Sequence, residues 1–416
     1  MNKVRSKHKT EQRITEKLNL VEQHIIRYGH KFFKECDVLG FASKNLYNAA
    51  LYAIRQHFFK TNKFLNYNAL QKRMQEENNP DYRALPAKVS QWVLKMVSLA
   101  FKSFFNANRS YKKNPNKFKA KPQLPKYKDK IKGRNLLIYT IQAISKTVLK
   151  EGNIQLSKTS IRFKTKRKAH EIKQVRLIPR YGYYVLEVIY EIPEPALIKS
   201  PKCAAIDLGV NNLGAVTFNF SKQPILIKGT PVKSINQYFN KKKAQLMSYI
   251  GNVGTSQRIM ELSFKRWKKI KDYLHKASRY IVNQLVSSGV SVLIVGWNKQ
   301  MKQDINIGKR NNQNFVSIPY SVFIQMLSYK CKMAGIRLII TEESYTSKCS
   351  FLDGESVKKH LIYKGKRIKR GLFRSKEGRL INADVNASYN IMKKVVPNVF
   401  AKGIEGVVVH PISVCL

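Results

Sequence analysis

The feature that most constrains this chain is its charge imbalance. Its 416 residues include 78 lysines and arginines but only 25 aspartates and glutamates, a formal net charge of +53. Even with every acidic residue paired inside the fold, 53 positive charges would face solvent or a partner. Such self-repulsion is tolerated when a polyanion binds, so nucleic acid is the leading candidate partner and a membrane surface the weaker one.

The rest of the composition is that of a folded protein. Hydrophobic residues make up 43% and aromatic residues 11%, which excludes a disordered tail protein. No stretch approaches the ~18 continuous apolar residues of a membrane span, and residues 1–14 lack the apolar region of a signal peptide. Five scattered cysteines without a CxxC pair indicate a reducing cytoplasm rather than a disulfide framework.

The first half of the chain predicts helices followed by a basic strap. Apolar residues recur at helical spacing over 46–59 and 85–105. Residues 101–134 then hold twelve lysines and arginines, one acid and three prolines, which predicts an extended segment. Its cations can neutralise phosphates and its aromatic rings can stack on bases, although a solvated linker has the same composition. The candidate nucleic-acid contacts here are Lys112, Lys113, Lys117, Lys119, Lys121, Lys126 and Lys128.

The hydrophobic period changes to two over residues 153–193, which predicts a small antiparallel sheet or barrel with a hairpin turn at 180–182. Whether its strands pair with others near the N-terminus is left open. Beyond it, the patterns predict strands at 203–207, 213–218, 224–228, 291–295 and 337–341, and helices at 261–286, 319–333 and 383–394. Three antiparallel strands followed by alternating helix and strand are the order of a ribonuclease H-like domain.

Carboxylates are scarce from Pro201 onwards, where only eleven occur, and phosphodiester cleavage by two metal ions needs several of them to converge. Asp207 ends an apolar strand, although an aspartate there can also cap a turn. Asp384 opens the last helix, where an aspartate also stabilises the helix N-terminus. Glu342 and Glu343 follow strand 337–341, where two adjacent like charges are costly unless a cation or solvent relieves them.

Four segments resemble TnpB, the RNA-guided nuclease family of bacterial insertion sequences that is related to the type V CRISPR effectors. They read AIDLGVNN at 205–212, DYLHKAS at 272–278, YTSKC at 345–349 and NADVNA at 382–387. In order and spacing they resemble the split pieces of the family's RuvC nuclease domain. The sequence LPAKVSQ at 85–91 resembles the family's recognition lobe.

The resemblance implies an α/β plus α+β fold: a ribonuclease H-like RuvC domain, an N-terminal β-barrel-like domain and a helical recognition lobe. The expected boundaries are 1–28 with 135–197 for the β-rich wedge-like domain, 29–134 for the helical lobe with its strap, 198–343 with 382–416 for the RuvC domain, and 344–381 for a basic insert. The insert stands where relatives carry a zinc ribbon. Cys349 has no paired cysteine there, so no structural zinc is expected. In the insert, Arg367 and Arg370 are expected to contact nucleic acid.

The resemblance also assigns catalytic roles, with Asp207 as the first RuvC carboxylate and Asp384 as the third. The family's second, a glutamate directly after strand 291–295, is missing, because the chain reads Gly296-Trp297-Asn298. Either the site is inactive or the glutamate comes from elsewhere. Neighbouring parallel strands end at the same rim about 5 Å apart, so a glutamate that ends strand 337–341 could reach the same metal. Some TnpB branches and their eukaryotic Fanzor relatives place this glutamate just before the Tyr-Thr-Ser motif, and by that resemblance Glu343 fits best and Glu342 is the fallback.

The expected function is an RNA-guided DNA endonuclease that binds two Mg²⁺ ions through Asp207, Glu343 and Asp384. By resemblance, its partners are a guide RNA from the transposon end and target double-stranded DNA beside a short adjacent motif, with no membrane partner. We expect a monomer in the bacterial cytoplasm, associated with the nucleoid. The alternatives are a nuclease-inactive, guide-dependent repressor and a guide-independent basic RNA-binding protein.

Overall fold

The computed structural model describes residues 17–298, 308–400 and 409–416. Within it the chain divides into two compact units, one spanning Asn19–Ile192 and the other containing Pro193–Leu416. Most of the predicted segment 1–28 and part of 382–416 lie outside the described residues. None of the helices in the described ranges combines the length and the apolar character needed to cross a membrane.

The first unit combines long helices with short strands. Its helices are α1 (Phe33–Thr61), α2 (Tyr67–Glu76), α3 (Pro80–Arg83), α4 (Ala87–Lys113) and α5 (Lys146–Lys150). Its strands are β1 (Lys17–Arg27), β2 (Leu137–Thr140), β3 (Asn153–Gln155), β4 (Arg162–Lys164), β5 (Ile172–Arg180) and β6 (Tyr183–Pro193).

Strands β1, β6, β5 and β2 form one sheet in that order, and β3 pairs with β4 separately. The predicted hairpin turn is confirmed, since β5 and β6 flank Tyr181-Gly182 and Gly182 adopts a φ of +82°, which glycine does at no steric cost. Strand β1 lies beside β6 although helices α1–α4 come between them in the chain, which answers the pairing question left open by the sequence. The barrel-like closure stays a prediction.

Helix α4 is longer than the sequence analysis predicted. It runs to Lys113, eight residues beyond the expected end at 105. The eight residues after Phe105 include three basic ones and no proline, and the next proline is Pro115, so no proline stops the helix earlier. The extended strap therefore begins after the short 3-10 turn at Pro115–Lys117.

The second unit is built around one large sheet. Its strands are β7 (Cys203–Asp207), β8 (Asn212–Phe218), β9 (Ile225–Lys228), β10 (Val292–Gly296), β11 (Arg337–Thr341), β12 (Lys366–Lys369), β13 (Leu372–Arg374), β14 (Leu380–Asn382) and β15 (Ile412–Val414). Its helices are α6 (Thr230–Ser248), α7 (Gln257–Ser287), α8 (Lys309–Ser317), α9 (Tyr320–Met333) and α10 (Ala383–Val395).

The large sheet has the order β11-β10-β7-β8-β9-β15. Strands β7, β8 and β9 are antiparallel, and β10 runs parallel to both β7 and β11. The predicted antiparallel trio followed by alternating helices and strands is therefore confirmed. Strand β15 was not predicted; it adds parallel to β9 at the edge. Because β7, β10 and β11 are parallel neighbours, their carboxyl ends meet at one rim.

Candidate active site

Asp207 stands at that rim, at the carboxyl end of β7. The first four residues of the strand Cys203–Asp207 are buried, and Asp207 is mostly enclosed. Burial raises the pKa of the Asp207 carboxyl well above its usual range, and the negative charges of Asp384 and Glu343 raise it further, while Arg367 partly opposes them. The charges of both other predicted carboxylates therefore act on the carboxyl of Asp207.

Asp384 is held in the first turn of α10. The side chain of Asn382 caps this helix by accepting hydrogen bonds from the backbone N–H groups of Asp384 and Val385. The helix is fixed to the sheet by Ser388, whose Oγ donates to the carbonyl of Ala205 at 3.0 Å. The N-terminal end of α10 is thereby anchored next to β7, and with it the position of the Asp384 carboxylate.

The Asp384 carboxylate has two partners besides the helix end. Asn212 Nδ2 donates to Oδ2 at 2.8 Å, and Arg367 Nη2 lies 3.5 Å from Oδ1. Asn212 belongs to the AIDLGVNN segment that follows Asp207, so the first and third predicted carboxylates are linked through one short stretch of chain. The hydrogen bond from Asn212 fixes the rotation of the Asp384 side chain.

Glu343 and Glu342 differ sharply in where they point. Glu343 Oε2 is buried, and the described residues provide it with no hydrogen-bond partner. Burial, followed by the charge of Glu342, raises the Glu343 pKa from 4.5 to about 6, with Lys394 opposing them. Glu342 is 59% exposed and forms an ion pair with Lys394 at 2.9 Å. Of the two, Glu343 is the one whose charge raises the pKa of Asp207.

Gly296 explains how Glu343 fits at this rim. It ends β10 opposite Thr341 of β11, two residues before Glu343. A Cβ at position 296 would lie 3.1 Å from Glu343 Oε2 and would overlap Ile391 Cδ1. The carboxylate of Glu343 therefore lies against the end of β10, and only a residue without a side chain leaves this much room there.

The donor set suits a hard divalent cation. It consists of carboxylate oxygens, which Mg²⁺ prefers, and one of them, Glu343 Oε2, is buried without a hydrogen bond, an unfavourable state that a cation would relieve. Across 17–298, 308–400 and 409–416, no three His, Cys, Asp or Glu side chains are grouped closely enough to hold a metal ion as they stand. The charges of Glu343 and Asp384 reach the Asp207 carboxyl, but in the described part of the chain the three carboxylates are not within coordinating distance of one cation position.

The predicted nucleic-acid contacts of the strap are mostly exposed. Lys112 and Lys113 end α4, Lys117 ends the 3-10 turn, and these three are exposed together with Lys119, Lys121 and Lys126. Lys128 differs, because it is half-buried with its Nζ 4.9 Å from the centre of the Tyr47 ring. Its backbone also exchanges two hydrogen bonds with the side chain of Asn48, each 2.9 Å long. Lys128 therefore fastens the strap to helix α1.

Arg367 lies in β12 of the insert's small sheet β12-β13-β14. Arg370 is exposed in the turn after β12. Arg367, predicted only as a nucleic-acid contact, lies beside Asp384. This proximity was not predicted, although the sequence held one signal for it: β14 leads directly into α10, so the insert ends at the helical turn that carries Asp384.

Glu355 is a second feature that the sequence analysis missed. It is buried, and its carboxylate accepts hydrogen bonds from the backbone N–H groups of Ser350 at 2.7 Å and Lys364 at 3.0 Å. Cys349 is also buried, with its Sγ 3.5 Å from the carbonyl of Lys358. The Glu355 carboxylate thus holds together two loops of the segment 344–381.

Two family models match the chain, both from residue 187 onwards. The family described as a probable transposase, OrfB_IS605, matches residues 187–302, and the Cas12f1-like TNB domain matches residues 320–391. These two segments include β7 to β10 and α9 to most of α10. The first therefore covers Asp207, and the second covers Glu343, Asp384 and the insert.

Curated relatives are moderately similar. The TnpB-like protein ORF457 of Acidianus two-tailed virus is 28% identical over 51% of this chain and 46% of its own length. The CRISPR-associated endodeoxyribonuclease Cas12f2 of a Micrarchaeota archaeon is 27% identical over 53% of this chain and 41% of its own length. The chain thus spans about half the length of these curated relatives.

Among solved structures, a Cas12f1 in complex with single-guide RNA and target DNA is similar with a TM-score of 0.53 and 15% identity. The match covers 86% of this chain and 82% of that one. At this identity the likeness shows the fold alone, which is a mixed α/β fold similar to that of Cas12f effectors.

Proposed function

The chain is a TnpB-family protein related to the type V effectors, and from that premise we propose that it is an RNA-guided DNA endonuclease. Its RuvC-type site consists of Asp207, Glu343 and Asp384. The observation that carries the proposal is Glu343 Oε2, which is buried beside the end of β10 and accepts no hydrogen bond from any residue that the structure describes. Glu343 would provide the third carboxylate at this rim, where relatives have a glutamate directly after the strand and this chain has Gly296.

The three carboxylates would hold two divalent cations, for which we propose Mg²⁺. When bound at such a site, these cations supply charge neutralisation on the phosphate and lower the pKa of water. Asn212 positions the Asp384 carboxylate by its hydrogen bond to Oδ2. The raised pKa values of Asp207 and Glu343 mean that the site gives up protons as it takes up cations, because the ligands must be ionised. The net reaction adds water across the bond between phosphorus and the 3′ oxygen.

The proposed partners are a guide RNA derived from the transposon end and a target duplex next to a short adjacent motif. The net charge of +53 supports polyanionic partners of this kind. Base pairing would then provide the sequence specificity, while the protein binds the backbone and shape of the heteroduplex. The exposed lysines of the strap supply cations for that contact.

The proposal is tested by co-expressing the protein with the RNA of its own locus. The purified complex is given a matched plasmid with a randomised flank, in Mg²⁺ and in chelator. We expect Mg²⁺-dependent cleavage that is lost in Asp207→Ala, Glu343→Gln and Asp384→Ala. Glu342→Gln is the matched control, because its carboxylate turns to Lys394 and should be dispensable.

Two results would contradict the proposal. Guide-dependent binding without cleavage under any divalent cation would identify the nuclease-inactive repressor instead. Normal cleavage by both Glu343→Gln and Glu342→Gln would show that neither glutamate replaces the missing ligand.

A further inference from the structure

Helix α6 begins next to the candidate site and leads away from it. Gly229, which precedes it, donates its backbone N–H to the carbonyl of Asn211 at 2.7 Å, and Lys233 Nζ donates to Asn211 Oδ1 at 3.0 Å. Asn211 lies between Asp207 and the Asn212 side chain that holds Asp384. The first turn of α6 is thus fastened to the loop that follows the first carboxylate, and its 19 residues extend about 28 Å at 1.5 Å per residue.

This helix lies in a stretch of chain that contains no acidic residue. Between Asp207 and Glu261 the sequence has no aspartate or glutamate, whereas lysines recur, three of them consecutively at 241–243. Positive charge here is therefore not offset by neighbours in the sequence. Such a surface attracts phosphate groups.

The two sides of α6 differ in what they contact. One side packs through Val232 and Asn236, both buried, and Asn236 Oδ1 accepts a hydrogen bond from Arg266 Nε of α7 at 2.7 Å. The opposite side, at helical spacing of three and four residues, is exposed. It carries Tyr238, Lys241, Lys242, Gln245 and, at the helix end, Tyr249, which we call the α6 outer face.

The α6 outer face exposes two aromatic rings about 16 Å apart along the helix. Tyr238 is 61% exposed and Tyr249 is 71% exposed. Lys242 Nζ donates to Gln245 Oε1 at 3.3 Å, and Gln245 Nε2 donates to the Tyr249 hydroxyl at 3.1 Å. Large aromatic side chains are costly to leave in water, and here two of them flank a pair of lysines on a single helix face.

We propose that the α6 outer face binds single-stranded nucleic acid, with Tyr238 and Tyr249 stacking on unpaired bases and Lys241 and Lys242 contacting the phosphates between them. A surface that combines aromatic rings with cations is typical of proteins that bind single strands, because a base exposes its face for stacking only when it is unpaired. Since α6 starts beside the carboxylates, a strand bound along it leads to or from them. This part of the inference rests on the proposed nuclease function, whereas the binding itself does not.

The test measures binding by the full-length chain carrying Asp207→Ala, so that cleavage plays no part. Fluorescence anisotropy follows labelled oligo(dT), oligo(rU) and a blunt duplex, each of about 15 nucleotides or base pairs, over a series of salt concentrations. Two double variants are tested: Tyr238→Ala with Tyr249→Ala, and Lys241→Ala with Lys242→Ala. The control for the first is Tyr238→Phe with Tyr249→Phe, which keeps both rings. The control for the second is Lys243→Ala, which removes a neighbouring lysine that lies on the same side of the helix as Asn236, away from the α6 outer face.

The tyrosine-to-alanine pair should weaken single-strand binding at least about fivefold and up to about 150-fold per lost base contact, without changing the salt slope. The phenylalanine pair should bind like the parent. The Lys241→Ala, Lys242→Ala pair should lower the slope of log K against log salt by about 1.4, since each phosphate contact on a single strand contributes about 0.7. Lys243→Ala should leave it unchanged.

The comparison of oligo(dT) with oligo(rU) shows whether a DNA strand or an RNA strand is the preferred ligand. Equal losses on the blunt duplex would overturn the proposal, as would a Lys241→Ala, Lys242→Ala effect no larger than that of Lys243→Ala. Unchanged binding by the alanine pair would also overturn it. A protein that passes this test yet never cuts a guided plasmid would contradict the nuclease proposal and leave this one standing.

Discussion

Glu343→Gln should make the cation-free protein more stable while removing its cleavage activity. The pKa of Glu343 rises from 4.5 to about 6, so ionising this carboxyl in the folded state costs about 2 kcal/mol, or about 1–2 kcal/mol after allowing for its partial exposure. A neutral glutamine of the same shape avoids that cost. Urea unfolding in chelator, followed by tryptophan fluorescence in a Trp92→Phe background, measures the second unit, which holds the other two tryptophans.

The stability difference between Glu343→Gln and the parent should depend on pH. A carboxyl with a raised folded-state pKa binds its proton more tightly in the folded state, so its contribution favours folding at low pH and declines as pH rises from 4.5 to about 6. The variant and the parent should therefore be equally stable below pH 4.5 and should separate by about 1–2 kcal/mol above pH 6. Added Mg²⁺ should reverse the order, because the parent has one more carboxylate with which to bind it.

Glu342→Gln is the control for this experiment. Its carboxylate is exposed and paired with Lys394, so its loss should change stability by no more than about 0.5 kcal/mol, and toward lower stability. The reasoning would be refuted if Glu343→Gln were no more stable than the parent in chelator at pH 8. It would also be refuted if both variants gained equally.

Three further predictions concern single residues. Gly296→Ala should destabilise the second unit by about 1–3 kcal/mol in urea unfolding, because the methyl group would overlap Ile391, and it should also slow plasmid cleavage; unchanged values for both would contradict the steric argument. Glu355→Ala should speed hydrogen exchange throughout the insert by removing the acceptor of two backbone N–H groups, whereas a zinc chelator should not; the reverse pattern would indicate a structural metal. Asp37→Ala should destabilise the first unit by about 1–3 kcal/mol in thermal unfolding, because the carboxylate accepts two hydrogen bonds from Arg134. That hydrogen bonding lowers the Asp37 pKa, so the stabilisation it provides should be lost only as pH falls below 3.8 through the lower folded-state value; a variant as stable as the parent at pH 7 would refute it.

The large sheet could be predicted from the sequence because its strands are short apolar runs between turns. Strand β7 was located by the run CAAID, and β11 by RLIIT. That the strands leading to Asp207 and Glu343 end at one rim was expected from strand geometry and from the resemblance, and both strands do run parallel to β10, which lies between them. The sequence indicated less firmly which of the two glutamates turns inward. That choice depends on the space left by Gly296 and on the ion pair between Lys394 and Glu342.

Other features depend on contacts between distant residues, which periodicity does not encode. Strand β15 has only three residues, and it is a strand because β9 provides an edge for it. The position of Arg367 beside Asp384 depends on how the insert folds back. Glu355 resembles any surface glutamate in the sequence, and only the closing of two loops around it shows that it is buried.

The claim on which the account depends is that Asp207, Glu343 and Asp384 bind divalent cations together. Anomalous scattering from crystals of the guide-bound protein soaked in Mn²⁺ tests it directly. We predict manganese peaks bounded by carboxylate oxygens of all three residues, and loss of a peak in Glu343→Gln. A peak held by the two aspartates alone, with Glu343 turned away, or no peak between them at saturating Mn²⁺, would contradict it.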